Sequence, residues 1–369
     1  MQKLAHNSKI KQNDFDYLKS IISAKSGQEI NNIRKQSTEI TEKLFGKKVY
    51  FRGVIEFSNV CEKDCYYCGI RKSNKNVSRY LMPKDEIIKQ AMWAFKSGYG
   101  SVVLQSGECT NKDFIDYVIK AVEEIKQKSA KQDKKGKGLA IVLSIGEQKK
   151  KVYEELFNAG TNRYLLRIET SSPKLYKKIH PNNHSFRKRD KCLDYLKEIG
   201  YQVGSGIMIG LPEQKIEDLV LDILYFKEKD IDMLGMGPYI IHNETPLGRT
   251  NMIEWVQKKN EVFQLSLNMI AASRIFLKDI NIASTTALQA LNPFGRELGL
   301  QYGANILMPI ITPKKYRANY LLYDNKPCID GDAIDCMDCL IKRVNSVGKE
   351  VALFELGDPI HFISKGAKK

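Results

Sequence analysis

Three cysteines lie within eight residues, Cys61, Cys65 and Cys68, in the C-x3-C-x2-C spacing of VIEFSNVCEKDCYYCGIRKSNKNVSRY. Three thiolates on one short loop can hold three irons of a cubane [4Fe–4S] cluster and leave the fourth iron open. An open metal position is what separates a catalytic metal site from a structural one. Structural zinc is the competing chemistry, but it wants four ligands, and no fourth Cys or His stands near this loop in the sequence. His180 and His184 form an H-x3-H pair more than a hundred residues downstream, outside zinc-finger spacing. Pro181 follows the first of them, so the two need not share a helix face.

A second group, Cys328, Cys336 and Cys339, stands in C-x7-C-x2-C spacing within KPCIDGDAIDCMDCL. Clustering in threes favours metal ligation over disulfide pairing and suggests an accessory [2Fe–2S] or [4Fe–4S] cluster. The alternatives are zinc, with Asp330, Asp332 or Asp335 as fourth ligand, or unoccupied surface thiols. Of the two remaining cysteines, Cys192 sits on a helical pattern and reads as a small apolar core residue.

The elements that must position these thiols alternate. Strand candidates are Val49–Phe57, Ser101–Gln105, Ala140–Ser144, Arg163–Glu169, Gln202–Gly210, Met233–Tyr239, Asn281–Thr286 and Ala304–Pro309. Amphipathic helical patterns lie between them: Lys84–Phe95, Lys112–Lys126, Lys149–Ala159, Arg187–Ile199, Lys215–Lys227 and Met252–Leu277. Such alternation implies parallel strands with right-handed crossovers. Eight units predict an α/β protein with a (β/α)8 TIM-type barrel, whose chemistry sits at the C-terminal strand ends. The first cysteine group falls just past the first strand, where that rule puts an active site. An open doubly wound sheet would carry G-x-G-x-x-G after its first strand, which is absent. The division expected is an N-terminal helical extension over 1–48, the barrel over 49–310 and a C-terminal cysteine-containing segment over 311–369. The run 126–138 (KQKSAKQDKKGKG) has the composition of a solvated loop or insertion.

The net charge is +16. Dense positive charge suits nucleic acid through counterion release, but the lysine clusters lack the interleaved aromatics that stack on bases. A lysine-rich solvated surface around a small-molecule site is the reading preferred over an RNA- or DNA-binding protein. The polar opening residues carry no signal-peptide pattern, and no apolar run approaches the length that crosses a bilayer. The expectation is a cytoplasmic protein without a membrane partner, in a compartment that keeps thiols reduced.

With Tyr67 before its last Cys, the cysteine loop resembles the radical S-adenosylmethionine (SAM) superfamily. Beyond the loop, VVLQSGE, NRYLLRIET, GIMIGLPEQ, GMGPYIIHNETPL, ASTTAL and GANILMP are similar, in order, to the HydE family of [FeFe]-hydrogenase maturases. The resemblance implies a catalytic [4Fe–4S] cluster on Cys61, Cys65 and Cys68, with SAM chelating the open iron. Reductive cleavage of SAM would yield a 5′-deoxyadenosyl radical. It places Ser106, Gly107 and Glu108 at the methionine end of SAM. Ser144, Arg167 and Glu169 would surround the nucleoside, and Arg189 would be a further SAM contact. Gly206 and Met208 would lie on the strand that backs adenine. Arg163, Thr285 and Thr286 match positions lining the family's internal anion or substrate pocket. The substrate implied is an organometallic iron–cysteine precursor of the bridging dithiolate, with other hydrogenase maturases and a reductant protein as partners. Ile168 departs from the family, which often has His there, as does Cys109, where an acidic residue is common. A methylornithine-synthase-like mutase and a biotin-synthase-like sulfur insertion share the loop spacing and the barrel.

Overall fold

The computed structural model describes residues 11–366 apart from Lys135, Asp332 and the side chain of Asp335. Two helices come first, Gln12–Ile22 and Gly27–Phe45. The second begins with a capping box in which Ser26 and Glu29 satisfy each other's free backbone N–H groups. The strands are β1 (Lys48–Ser58), β2 (Ser101–Ser106), β3 (Ala140–Ser144), β4 (Arg163–Leu165), β5 (Gln202–Ser205), β6 (Met208–Ile209), β7 (Met233–Leu234), β8 (Gly237–Pro238), β9 (Asn281–Ile282), β10 (Ile306–Leu307) and β11 (Glu350–Val351). All pair in parallel, in the order β10-β1-β2-β3-β4-β5-β7-β9. A bridge between Ala283 and Ile306 joins the last strand to the first, so eight strands form a nearly closed (β/α)8 barrel, as expected.

Both faces of these strands are covered, which is why β1 and β2 are buried along most of their length. Val54, Val103, Val142 and Leu165 fill one interior layer, and Met233, Ala283 and Ile306 another. The opposite, N-terminal rim is closed by residues 355–359. β11 pairs with β1, while Gly357 O accepts from Arg52 and Leu356 O accepts from Arg163.

Three elements differ from the sequence reading. The fourth strand stops at Leu165 instead of reaching Glu169, which has a left-handed φ of 67° and keeps only an isolated parallel bridge to Ile207. The fifth breaks at Gly206, where a Cβ would stand 2.2 Å from Gly235 O, and resumes as β6, which pairs with β8. The lysine-rich run is not all loop. The helix Lys112–Gln132 continues through much of it because Ser129 Oγ turns inward, donating to Ile125 O and accepting from Leu139 N–H. Among the described residues no helix is long and apolar enough to cross a membrane.

Candidate active site

The loop after β1 is tied down on every side. The Arg79 guanidinium donates to the carbonyls of Asn59, Ile70, Arg71 and Asn74. Arg71 forms a two-pronged pair with Asp64 at 2.8 and 2.9 Å. Tyr66 N–H donates to Ile179 O and Gly69 N–H to Leu322 O, linking the loop to two distant segments. Within it the three thiols converge, each within electrostatic reach of the others. Burial pushes all three up, Cys65 to about 12, while backbone N–H groups of Glu108 and Lys63 draw Cys61 back. Thiolates in this setting need metal charge and N–H donors to hold them, and the Glu108 N–H stands 3.4 Å from Cys61 Sγ. Three sulfurs in one rigid pocket fit a cubane cluster with one iron free of protein ligands.

The end of β2 presses against this loop. A Cβ on Gly107 would lie 2.2 Å from Val60 O and 2.7 Å from Cys61 Cβ, so only glycine fits. Ser106 Oγ donates to Gly107 O. Glu108 does not present a free carboxylate, as the expected ammonium contact requires. Lys63 Nζ bridges it to Glu147 at 3.2 and 3.1 Å, and Glu147 accepts from Arg189 Nε at 2.9 Å. Burial, with Glu147 nearby, raises the Glu108 carboxyl. Burial opposes ionisation of Glu147 too, but Arg189 and Lys63 hold it below the usual range. Lys63 and Glu147 went unread in the sequence, although both follow the barrel rule of lying just past a strand end, after β1 and β3.

Across the mouth, Arg167 Nε shares both oxygens of Glu169 at 3.1 Å and Nη2 donates to Ile207 O. Glu169 N–H donates to Gly206 O and its own carbonyl accepts from Met208 N–H, so its strained backbone is pinned on both sides. Arg189 is buried behind them and donates to Arg167 O. Ser144 ends β3 half-exposed on the same rim. Met208 and Tyr67 share one apolar cluster with Ile179 and Tyr239. The expected SAM residues are therefore gathered at one end of the barrel.

Two expectations change. His180 and His184, set aside as too distant, stand beside the loop, and their ring nitrogens lie with Cys65 Sγ within 4.8 Å of one another. Burial first, then Lys63 and Arg189 charge, holds His184 neutral with a pKa of about 4; burial and Arg189 hold His180 neutral at about 3. Arg163 is not brought together with Thr285 and Thr286. It opens β4 at the opposite rim, bound to Asp358 at 2.6 Å and Gln202 at 2.9 Å. Four residues further along, Arg167 is the arginine of that segment that reaches the active end. Thr286 Oγ1 accepts from the buried Arg296, while Thr285 Oγ1, Arg296 Nε and Arg296 Nη1 are buried with no hydrogen-bond partner among the described residues.

In the second cysteine group, a hydrogen bond between the Cys328 and Cys336 thiols lowers Cys328, against its burial, and Arg296 and Arg317 add to the lowering. Arg317 also braces the loop through Cys328 O and Gly331 O. Cys339 lies exposed one turn beyond Cys336 on the helix Ala333–Ser346. Asp332 and the Asp335 side chain, two of the suggested zinc ligands, lie outside the described residues.

The Radical SAM superfamily model matches residues 55–225. The [FeFe] hydrogenase maturase subunit HydE of Thermotoga maritima is 43% identical over 318 residues, 86% of this chain and 85% of that protein. The 3-methylornithine synthase of Methanosarcina acetivorans is 26% identical over 340 residues, 91% and 90% of the two chains. A crystal structure of methylornithine synthase superposes with a TM-score of 0.75 at 22% identity, over 92% of this chain and 94% of that one, a likeness of fold. The cysteine loop, the barrel that carries it and the 43% identity over most of both chains agree: the chain belongs to the HydE family of the radical SAM superfamily.

Proposed function

We propose that this chain is a radical SAM enzyme of [FeFe]-hydrogenase maturation, acting on an organometallic iron–cysteine precursor of the bridging dithiolate. The observation that carries the reading is the convergence of Cys61, Cys65 and Cys68 at the active end of the barrel, faced by the SAM residues. A [4Fe–4S] cluster and SAM supply, when bound, one-electron cleavage of the sulfonium to methionine and a 5′-deoxyadenosyl radical.

The chain's own residues do the rest. Cys61, Cys65 and Cys68 hold three irons. Ser106, Gly107 and Ser144 line the SAM side, and Glu169 accepts from the ribose hydroxyls. Gly206 and Met208 back the adenine. Arg189 is buried and bonded to Glu147 and Arg167 O, so it positions the SAM contacts. Glu108, paired with Lys63, would stand at the methionyl end of SAM. Arg296 and Thr286, hydrogen-bonded to each other, with the neighbouring Thr285, offer a guanidinium and two hydroxyls that suit a carboxylate-bearing substrate. The barrel wall keeps a primary carbon radical from water and stray side chains. Cys328, Cys336 and Cys339 hold an accessory cluster. A reductant protein supplies the electron, and other hydrogenase maturases take the product.

The test is anaerobic reconstitution, reduction, addition of SAM and chromatography for 5′-deoxyadenosine. Wild type forms it and Cys65→Ala does not. Absence of product from wild type, or undiminished product from Cys65→Ala, overturns the reading. Supplying the protein to an otherwise complete hydrogenase-activation mixture lacking this maturase separates maturation, seen as hydrogen evolution, from a mutase or sulfur-insertion activity.

A further inference from the structure

The loop between the helices Pro173–Ile179 and Phe186–Ile199 brings two imidazoles up behind the cysteine loop, and their hydrogen bonds fix which nitrogen carries each proton. At His180, Nδ1 lies 2.9 Å from Tyr176 O. A carbonyl only accepts, so Nδ1 holds the proton and Nε2 accepts from the Tyr67 hydroxyl at 3.4 Å. The His180 ring is held by stacking on Tyr176, with centroids 4.0 Å apart, and meets Tyr67 edge-on.

At His184 the order is set from the other side. The Asp64 backbone N–H points at Nε2 from 3.4 Å, and an N–H only donates, so Nε2 supplies the lone pair and Nδ1 bears the proton. That Nδ1 lies 3.9 Å from Cys65 Sγ. A turn from His184 N–H to Pro181 O at 2.9 Å and the Ser185 cap on Lys188 N–H fix the segment.

We infer that His184 is a positioning residue whose Nδ1–H donates to the Cys65 thiolate and raises the reduction potential of the cluster held there. The inference rests on the reading that Cys65 is a cluster ligand. A donor to a ligating sulfur draws charge off it and stabilises the more negative, reduced cluster over the oxidised one. The imidazole acts through this one directed bond.

The experiment is a potentiometric titration of the reconstituted protein, followed by electron paramagnetic resonance, with iron content measured in each sample. His184→Phe removes the donor and His184→Gln keeps an N–H within reach. For a bond of ordinary net strength, the reduced-to-oxidised ratio at fixed poise falls about fivefold in His184→Phe, a shift of about 40 mV to lower potential for a one-electron couple. His184→Gln recovers part of the shift. A His184→Phe protein with full iron and an unmoved midpoint overturns the inference. Where that variant loses iron, wild type labelled with 15N-histidine decides. A weak histidine nitrogen coupling to the reduced cluster supports the donor role; its absence, or a coupling as large as direct ligation gives, overturns it. A wild-type chain that assembles no cluster on the triad sinks the proposed function itself, which an intact cluster with an unmoved midpoint does not.

Discussion

Removing Asp358 tests whether Arg163 is a structural or a substrate-binding group. The Asp358 carboxylate accepts from Arg163 Nη2 at 2.6 Å and from Gln202 Nε2 at 2.5 Å. Arg163 is 2% exposed, and its neighbour Arg52, also buried, has among the described residues only Gly357 O and the Met233 sulfur for hydrogen-bond partners. Asp358→Ala leaves two buried guanidiniums without a counter-charge. Breaking a buried pair costs about 3–5 kcal/mol, and the 28% exposure of the Asp358 side chain puts this one near the lower figure, about 3 kcal/mol. Unfolding entropy of about 2.1 cal/mol/K per residue over 369 residues converts that to a fall in Tm of about 4 °C. Burial works against ionisation of Asp358, yet Arg163, Gln202 and Arg52 hold its pKa below the ordinary value. Its contribution is thus present above the unfolded carboxylate pKa and lost as pH falls through the folded one. The gap between wild type and Asp358→Ala closes only below about pH 4. Anaerobic thermal unfolding gives the Tm, and 5′-deoxyadenosine formation at 25 °C gives the activity. An unchanged Tm, or lost product with Tm and iron intact, refutes the structural assignment of Arg163.

Three further outcomes follow from geometry. Gly107→Ala pushes a Cβ into Val60 O and Cys61 Cβ, so iron content after reconstitution falls by more than half while far-ultraviolet circular dichroism keeps the barrel signal. Glu169→Gln weakens SAM binding by roughly tenfold, about the worth of one charge-assisted hydrogen bond, without changing iron content, as equilibrium dialysis of labelled SAM shows. Asp222 is fully buried, accepts from Ser171 N–H through one oxygen and has no partner for the other. Burial raises its pKa to about 7, so the native state binds the extra proton between about pH 4 and 7. Stability from this group falls as pH rises through that window. Asp222→Asn removes that slope and, at pH 8, raises the unfolding free energy from denaturant curves by about 2–4 kcal/mol.

Where local pattern carried the information, the sequence was readable. All eight barrel strands lie where apolar runs alternate with helical periodicity, and β3 matches residue for residue. The spacing of the cysteine loop pointed to metal ligation, and the family resemblance around it pointed to a cluster. What spacing does not encode is which residues meet after the chain closes. His184 reaches Cys65 across 119 positions, and Lys63 reaches Glu147 across 84. Arg163 misled because a barrel strand has two ends with different roles, and a residue at the first position of β4 belongs to the closed rim. Glu169 takes a backbone angle that Glu rarely adopts, which composition gives no reason to expect.

The closure of the N-terminal rim by residues 355–359 has a consequence for the order of assembly. β1 finds β11 only after roughly 300 intervening residues have been synthesised, and contacts of such separation form late. Until Asp358 arrives, Arg52 and Arg163 remain hydrated at an open base, and the tube has two mouths. With the base sealed, the end that carries the cysteine loop is where large guests would enter and leave, the same end at which the radical is made.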